Sequence, residues 1–257
     1  MTLMHVRAMA VWTPRYPSLD AWLARQPIAP RSSEPSVPAA SILGARVRGR
    51  ASVLTRMIAE VVAVAASDAA LELATAPLIV GSAFGEMETT ARLLAMMCVG
   101  DGALSPARFQ SSVHNAASGA ISIATGNQGF SSCITAGHAT TAALLHEARA
   151  LIAESGGDVI VVMADERLPS FFAHDDGFES AAAALVLSDR AGAARALLYP
   201  TERAEHALDE LASAELGKTP VAPLLALIDA VHRRQERVLL PAFGRAVRVP
   251  LGYEAGV

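Results

Sequence analysis

The segment "GFSSCITAGHATTAALLHEARALI", residues 129–152, decides the fold of this chain. Its pattern predicts a short strand over 131–134, a tight turn, and a long helix over 138–153. The turn, residues 136–139, reads "AGHA". Such a turn exposes a nucleophile well, because the N-terminus of the following helix stabilises negative charge. The turn is therefore an active site, a former active site, or only a connection.

Strand-like and helix-like segments alternate along the rest of the chain, which predicts a layered α/β core. The run "GGDVIVVMADE" is apolar without a break, as expected of a strand covered on both faces. The helix over 138–153 carries small or apolar residues on most sides, which predicts a buried central helix. Further strands are predicted at 6–13, 76–84 and 156–166, a strand or an apolar core segment at 181–189, and one or two strands within 237–251. Further helices are predicted at 51–67, 85–99, 112–126 and 220–235, and loops at 25–41, 100–110 and 168–180.

Composition and charge exclude several classes of protein. The chain has 257 residues, 52% of them hydrophobic, and a formal net charge of −4. This length fits one large domain or two small ones. No basic stripe with interleaved aromatics is present, so no nucleic-acid partner is expected. The apolar runs fall short of the ~20 residues that a membrane span needs, and the N-terminus shows no signal-peptide pattern, so a cytoplasmic protein is expected.

Neither metal nor cofactor is predicted. Cys98 and Cys133 show no metal-type spacing and no disulfide framework. "HDDG", residues 174–177, is better explained as a solvated acidic turn, because no other ligand set has a recognisable spacing.

Two short motifs are further candidate sites. "GSAFGE", residues 81–86, resembles a glycine-rich phosphate loop but matches neither the dinucleotide-binding fingerprint nor a P-loop. Small residues where a strand meets a helix explain it more simply. Asp165 and Glu166 end the strand at 156–166, where carboxylates can be catalytic. Neighbouring strand residues point to opposite faces, however, so they make a poor acid–base pair.

Cys133 and His138 are the candidate reactive side chains beside the turn. Cys133 lies inside the predicted strand, where a cysteine is more often a small buried hydrophobe than a thiolate. His138 lies at the helix N-terminus, whose dipole disfavours the imidazolium, so a neutral ring is expected. A neutral histidine acts as a base or as a hydrogen-bonding group, and a packing role explains it equally well.

Residues 105–152, "SPARFQSSVHNAASGAISIATGNQGFSSCITAGHATTAALLHEARALI", resemble the central part of β-ketoacyl synthases of the thiolase superfamily. In that family a P-x-x-F segment and an Asn- and Gly-containing helix precede a strand, and a cysteine at the following turn carries the acyl chain. The ungapped match places that nucleophile position on His138, and a match shifted by one places it on Gly137. Neither position supplies a thiol.

The resemblance extends to a particular subfamily. "SVHNAASGAISIATG", "VIVVMADERLPS" and "AAAALVLSD" resemble the short chain-length factors that accompany a complete ketosynthase in bacterial aryl polyene clusters, which also lack the cysteine. The family's two second-half histidine motifs have no counterpart here, since the late histidines are His206 and His232. The resemblance implies one thiolase-like half over 1–257, a single layered α-β-α unit with a mixed sheet and a buried central helix. It is best matched at 75–190, with a divergent tail at 191–257 packed on the same domain.

The implied function is that of a non-catalytic partner of a complete β-ketoacyl synthase, with acyl carrier protein involved indirectly. In this family the strand before the nucleophile pairs with the partner's strand, and nearby loops wall the partner's acyl pocket. The residues expected at this interface are Phe109, Ser112, Val113, His114, Asn115, Phe130, Ser131, Ser132, Cys133 and Ile134. Two alternatives stay open: an independent thiolase-like acyltransferase or decarboxylase that uses Cys133 or His138, and an unrelated α/β module that binds a small ligand.

Overall fold

The computed structural model describes residues 2–28, 36–99, 105–172, 178–204, 219–242 and 245–253. Its strands are β1 (Met4–Trp12), β2 (Leu78–Gly81), β3 (Ser131–Ile134), β4 (Asp158–Asp165), β5 (Ala181–Ser188), β6 (Ala196–Leu198), β7 (Glu202–Arg203), β8 (Arg237–Ala242) and β9 (Arg245–Gly252). Its helices are α1 (Leu19–Leu23), α2 (Ala45–Arg48), α3 (Val53–Asp68), α4 (Met87–Val99), α5 (Pro106–Gln110), α6 (Ala116–Thr125), α7 (Thr140–Ser155) and α8 (Ala222–His232), and a 3-10 turn, Gly137–Ala139, precedes α7.

The strands form one mixed sheet in the order β3-β2-β4-β5-β1-β6-β9-β7, with β8 paired to β9. The strand β2 runs parallel to both β3 and β4, whereas the pairs β4–β5, β5–β1, β1–β6 and β6–β9 are antiparallel. The described part of the tail joins this sheet, because β6 pairs with β1 and with β9. The predicted α/β fold with a mixed sheet is confirmed.

Side chains of the central strands alternate between two cores, which makes the fold three-layered. Val159, Val161 and Met163 of β4 pack in a core with α7 and α8. Ile160 and Val162, between them, pack in the opposite core with α3 and α6. All are fully buried, which explains why β4 reads as a continuous apolar run.

The helix α7 is buried mainly over its first two turns. Thr140, Ala142, Leu144 and Leu145 are buried, and Gly81 of β2 makes room for the helix. A Cβ at that glycine would lie 2.7 Å from the side chains of both Thr140 and Leu144. The last turns expose one side of the helix, so its burial is less complete than the sequence pattern predicts.

Two sequence expectations near the candidate site are corrected. The loop predicted over 100–110 contains α5, which Pro106 opens at a position where proline favours a helix start. The helix predicted over 112–126 begins only at Ala116. The hydroxyls of Ser111 and Ser112 donate back to backbone carbonyls of α5 at 3.0 and 2.8 Å, which holds the link between the two helices in a turn.

Candidate functional site: an open strand edge and the turn that follows it

The strand β3 is the outermost strand of the sheet, and only β2 pairs with it within the described ranges. The carbonyls of Phe130 and Ile134, at its two ends, accept amide protons from the β2 side at 2.9 and 3.2 Å. Backbone groups of successive strand residues point to opposite sides, so the amides and carbonyls of Ser131 and Cys133 face away from β2. These are the groups that an additional strand would pair with.

Backbone and threonine hydrogen bonds close the turn between β3 and α7. Thr140 Oγ1 donates to the Gly137 carbonyl at 2.7 Å and accepts the Ala136 N–H at 3.0 Å. The N–H of Ala139 donates to the Ala136 carbonyl at 3.0 Å. Gly137 has a φ of 55°, a left-handed conformation that glycine adopts without steric cost. The His138 side chain is exposed and makes no hydrogen bond to any described residue.

Cys133 faces the inside of the molecule rather than the turn. Its side chain is half-buried and packs on the core that α3 and α6 form. Its Sγ lies 3.2 Å from the Oγ of Ser118 on α6. Burial raises the pKa of the Cys133 thiol, and the contact with Ser118 offsets this only in part. A neutral thiol in such a place is a poor nucleophile, since the thiolate is the reactive form.

The glycine-rich loop after β2 wraps around the end of β4. Asp165, which is fully buried, accepts the Ser82 hydroxyl at 2.8 Å and the N–H groups of Ala83 and Phe84 at 3.1 and 2.9 Å. The N–H of Gly85 donates to Ser82 Oγ at 2.8 Å. Because these loop donors already have partners inside the protein, they are not available to a phosphate, and the phosphate-loop interpretation of "GSAFGE" loses its physical basis.

Two further carboxyl groups are buried beside that loop. Glu86 accepts the hydroxyls of Ser52 and Thr55 on the α3 side at 2.8 and 2.9 Å. Glu166 accepts the N–H of Glu88, in the first turn of α4, at 3.0 Å. Burial raises the pKa of Glu86, and burial together with the charges of Glu86 and Glu88 raises that of Glu166 to about 7. Asp165 and Glu166 thus hydrogen-bond the end of β4 to the loop after β2 and to the start of α4, and they do not form an acid–base pair.

No local pattern in the sequence signals these hydrogen bonds. Ser82 and Asp165 are 83 residues apart in the sequence, and Glu88 and Glu166 are 78 residues apart. Only the three-dimensional return of the chain to the end of β4 brings them together.

Three of the large apolar side chains expected at an interface are exposed. Phe109, Val113 and Phe130 are 61%, 42% and 44% exposed, which is high for large apolar side chains. His114, Asn115 and Ser131 are also exposed, whereas Ser112, Ser132, Cys133 and Ile134 are half-buried. His114 reaches the end of β3, where its Nδ1 lies 3.4 Å from Thr135 Oγ1.

The described residues contain no group of three or more histidine, cysteine or acidic side chains arranged to hold a metal ion. Within the same residues, no helix is both long and apolar enough to cross a bilayer. "HDDG" and His206 lie outside the described residues. His232 is exposed at the C-terminal end of α8.

The family model of the β-ketoacyl synthase N-terminal domain matches residues 20–245. The chain belongs to the β-ketoacyl synthase family. This match spans the edge strand, the turn with Gly137 and His138, and α7. Comparison with curated proteins gives no match.

Solved structures share the fold of this β-ketoacyl synthase-like chain at low identity. A chain of the ketosynthase ApeO in complex with its chain length factor ApeC from Xenorhabdus doucetiae is 20% identical with a TM-score of 0.72, and the match covers 98% of this chain and 100% of that one. A chain of the ishigamide ketosynthase/chain length factor is 15% identical with a TM-score of 0.72, covering 98% and 99%. A chain of AntDE:AntF, a type II polyketide synthase acyl-carrier protein in complex with its ketosynthase bound to the hexaketide, is 13% identical with a TM-score of 0.74, covering 98% and 99%.

Proposed function

We propose that this chain is a non-catalytic, chain-length-factor type subunit that pairs with a complete β-ketoacyl-ACP synthase in fatty acid or polyketide-type biosynthesis, of the aryl polyene kind. One observation carries the proposal: the turn between β3 and α7 is intact but bears Gly137 and His138 instead of a cysteine. The backbone that presents a nucleophile is kept without the atom that would form a thioester.

Cys133, the thiol nearest in sequence to the turn, does not replace the missing nucleophile. Cys133 lies in β3, turned toward Ser118 of α6, and burial raises its pKa. An acyl-enzyme needs a thiolate that the substrate can reach, and neither condition is met at Cys133. His138 is exposed, and no acidic side chain among the described residues bonds to it to orient its ring, so the independent-enzyme alternative has little support.

The open edge supports the partner role. Ser131 and Cys133 direct backbone donors and acceptors outward, and a strand from another chain would satisfy them. Phe130 directly precedes β3, and Val113 precedes His114, which reaches Thr135 at the end of β3. We propose that their exposed side chains, with that of Phe109, are buried at the same interface. A stable pairing is expected to bury on the order of 1,600 Å² in total.

The similar structures agree with this assignment. Two of the chains quoted above come from assemblies described as a ketosynthase with its chain length factor, and each matched chain is covered almost completely. We infer that the segment 109–115 and the strand 131–134 form the docking surface and help to wall the acyl pocket of the partner. Acyl carrier protein is then an indirect partner, which reaches the complex through the synthase.

We further propose that residues 1–257 act as one domain, because β6 and β9 of the tail continue the sheet that β1 belongs to. A cytoplasmic location is part of the same proposal, in keeping with Cys98 and Cys133, which are both free thiols.

The test is reconstitution with a complete ketosynthase. The chain alone, the synthase alone and both together are incubated with acyl and malonyl carrier protein thioesters, and products are measured by mass spectrometry. We expect no turnover by the chain alone, and longer products only when both are present. Cys133→Ser and His138→Ala are expected to leave the activity of the pair unchanged. Turnover by the isolated chain that either substitution abolishes would establish the enzyme instead.

A further inference from the structure

His114 is held in a defined position by its contact with Gly85. A Cβ built on Gly85 would lie 2.7 Å from both Nδ1 and Cε1 of the imidazole, so the ring occupies the space that any other residue at position 85 would fill. Gly85 also has a φ of 67°, which favours glycine. The ring is exposed on its other side.

The hydrogen bonds of Thr135 decide which ring nitrogen of His114 carries the proton. Thr135 Oγ1 lies 2.5 Å from the Ser82 carbonyl and donates its single proton to it. Toward His114 Nδ1, 3.4 Å away, the same oxygen acts only as an acceptor. Nδ1 therefore bears the hydrogen, and in the neutral ring Nε2 keeps its lone pair.

The hydrogen bonds around Thr135 continue into the interior of the protein. Ser82, whose carbonyl Thr135 binds, also donates its hydroxyl to the buried carboxylate of Asp165. His114 thus lies against Gly85 and Thr135, and hydrogen bonds tie both of these to Ser82, beside the end of β4. Its orientation is set before any partner arrives, which lowers the entropy that docking must overcome.

We propose that His114 presents Nε2 as a hydrogen-bond acceptor on the docking surface around β3, and that the partner subunit supplies an N–H or O–H donor to it. This inference rests on the proposed function, because it places His114 between two subunits. Its neighbours Val113 and Asn115 are exposed like it and would be covered together. A bare ring nitrogen buried there without a donor would weaken the complex.

The first experiment uses the chain alone and does not depend on any partner. Nitrogen-15 NMR of imidazole-labelled protein at a pH where the ring is neutral is expected to show His114 with its proton on Nδ1. Gly85→Ala, which removes the space for the ring, is expected to abolish that signature. A neutral His114 with its proton on Nε2 in the wild-type chain would overturn the inference and leave the proposed function standing.

The second experiment measures the affinity of the complete ketosynthase for His114 variants. His114→Phe keeps a ring over Gly85 without an acceptor and is expected to weaken binding about tenfold, the effect of one unmatched donor. His114→Gln, whose side-chain oxygen reaches the Nε2 position, is expected to restore most of the loss. Binding by His114→Phe at wild-type strength would contradict the inference. Absence of any complex with the wild-type chain would overturn both this inference and the proposed function.

Discussion

The strands β3 and β4 both run parallel to β2, so their carboxyl ends lie at the same end of the sheet. The polar groups of the two strands nevertheless find their hydrogen-bond partners in different places. At β4, the carboxylate of Asp165 receives three donors from the loop after β2, and every contact stays inside the chain. At β3, the backbone groups of Ser131 and Cys133 point outward. The first region is satisfied within the chain, and the second presents backbone groups to the partner that we propose.

The two regions also differ in what their polar groups contribute to. A buried carboxyl that is fully hydrogen-bonded contributes to folding stability. A row of backbone groups on an open edge contributes little to the isolated fold and much to association. Substitutions at the end of β4 are therefore expected to change the free energy of unfolding, and substitutions along the outer side of β3 are expected to change binding.

The largest expected change in stability follows from Asp165→Ala. The substitution leaves the Ser82 hydroxyl and the N–H groups of Ala83 and Phe84 without their acceptor. Each unmet buried donor costs about 1–3 kcal/mol, and water entering the space recovers part of this, so we expect a loss of about 3 kcal/mol. Urea unfolding of the isolated chain measures it. Asp165→Asn keeps one acceptor oxygen and is expected to lose less than half as much unfolding free energy as Asp165→Ala. Equal losses in the two variants would contradict the role assigned to the acceptor oxygens.

A smaller effect is expected in thiol labelling. Cys98 is exposed on α4, whereas Cys133 is half-buried and has a raised pKa. Because burial raises the pKa of Cys133 and limits access to its sulfur, Cys133 is expected to react with iodoacetamide more slowly than the exposed Cys98 at pH 7.5. Peptide mass spectrometry gives both rates, and labelling in urea is the control in which they become similar. Rapid stoichiometric labelling of Cys133 by a ketosynthase inhibitor would instead mark it as a nucleophile.

The smallest expected effect is the pH dependence of stability near neutrality. The pKa of Glu166 is about 7 in the folded chain, above its ordinary value of 4.5, so the folded state binds more protons than the unfolded state between these values. Stability is therefore highest at acidic pH within this window and falls as pH rises through 7. Between pH 6 and pH 8 we expect a loss of about 1 kcal/mol from this group.

Glu166→Gln supplies the control for this dependence, because it removes the titrating group and keeps an acceptor for the Glu88 N–H. The variant is expected to show a flatter stability profile between pH 6 and pH 8 and to be at least as stable as the wild type at pH 8. A wild-type profile that rises over this range would contradict the burial argument.

Local patterns in the sequence predicted the main elements of the fold. The alternation of strand-like and helix-like segments predicted a layered α/β core, and the apolar run in β4 predicted a strand covered on both faces. The segment at 129–152 predicted strand, turn and helix. The short helix α5 was missed, because five residues show too little periodicity to distinguish a helix from a loop.

The contacts within the site could not be predicted from the sequence. The sequence marks Asp165 and Glu166 as possible catalytic carboxylates, but the groups that donate to them, on Ser82 and Glu88, lie 83 and 78 residues earlier in the chain. The contact of His114 with Thr135 likewise depends on how α6 returns the chain to β3. Side-chain pairing of this kind is set by the packing of whole elements rather than by the neighbouring residues.

The central claim is that the outer side of β3 is completed by a complete ketosynthase, and a pair of proline variants tests it most directly. Ser131→Pro removes an amide that points away from β2, whereas Ser132→Pro removes one that points toward it. We expect Ser131→Pro to keep the unfolding midpoint of the isolated chain within a few degrees and to lose co-purification with the synthase, while Ser131→Ala keeps both. Ser132→Pro is expected to destabilise the isolated chain itself. If Ser131→Pro folds and still co-purifies with the synthase at full stoichiometry, the partner does not pair with β3 and the proposed docking surface is wrong.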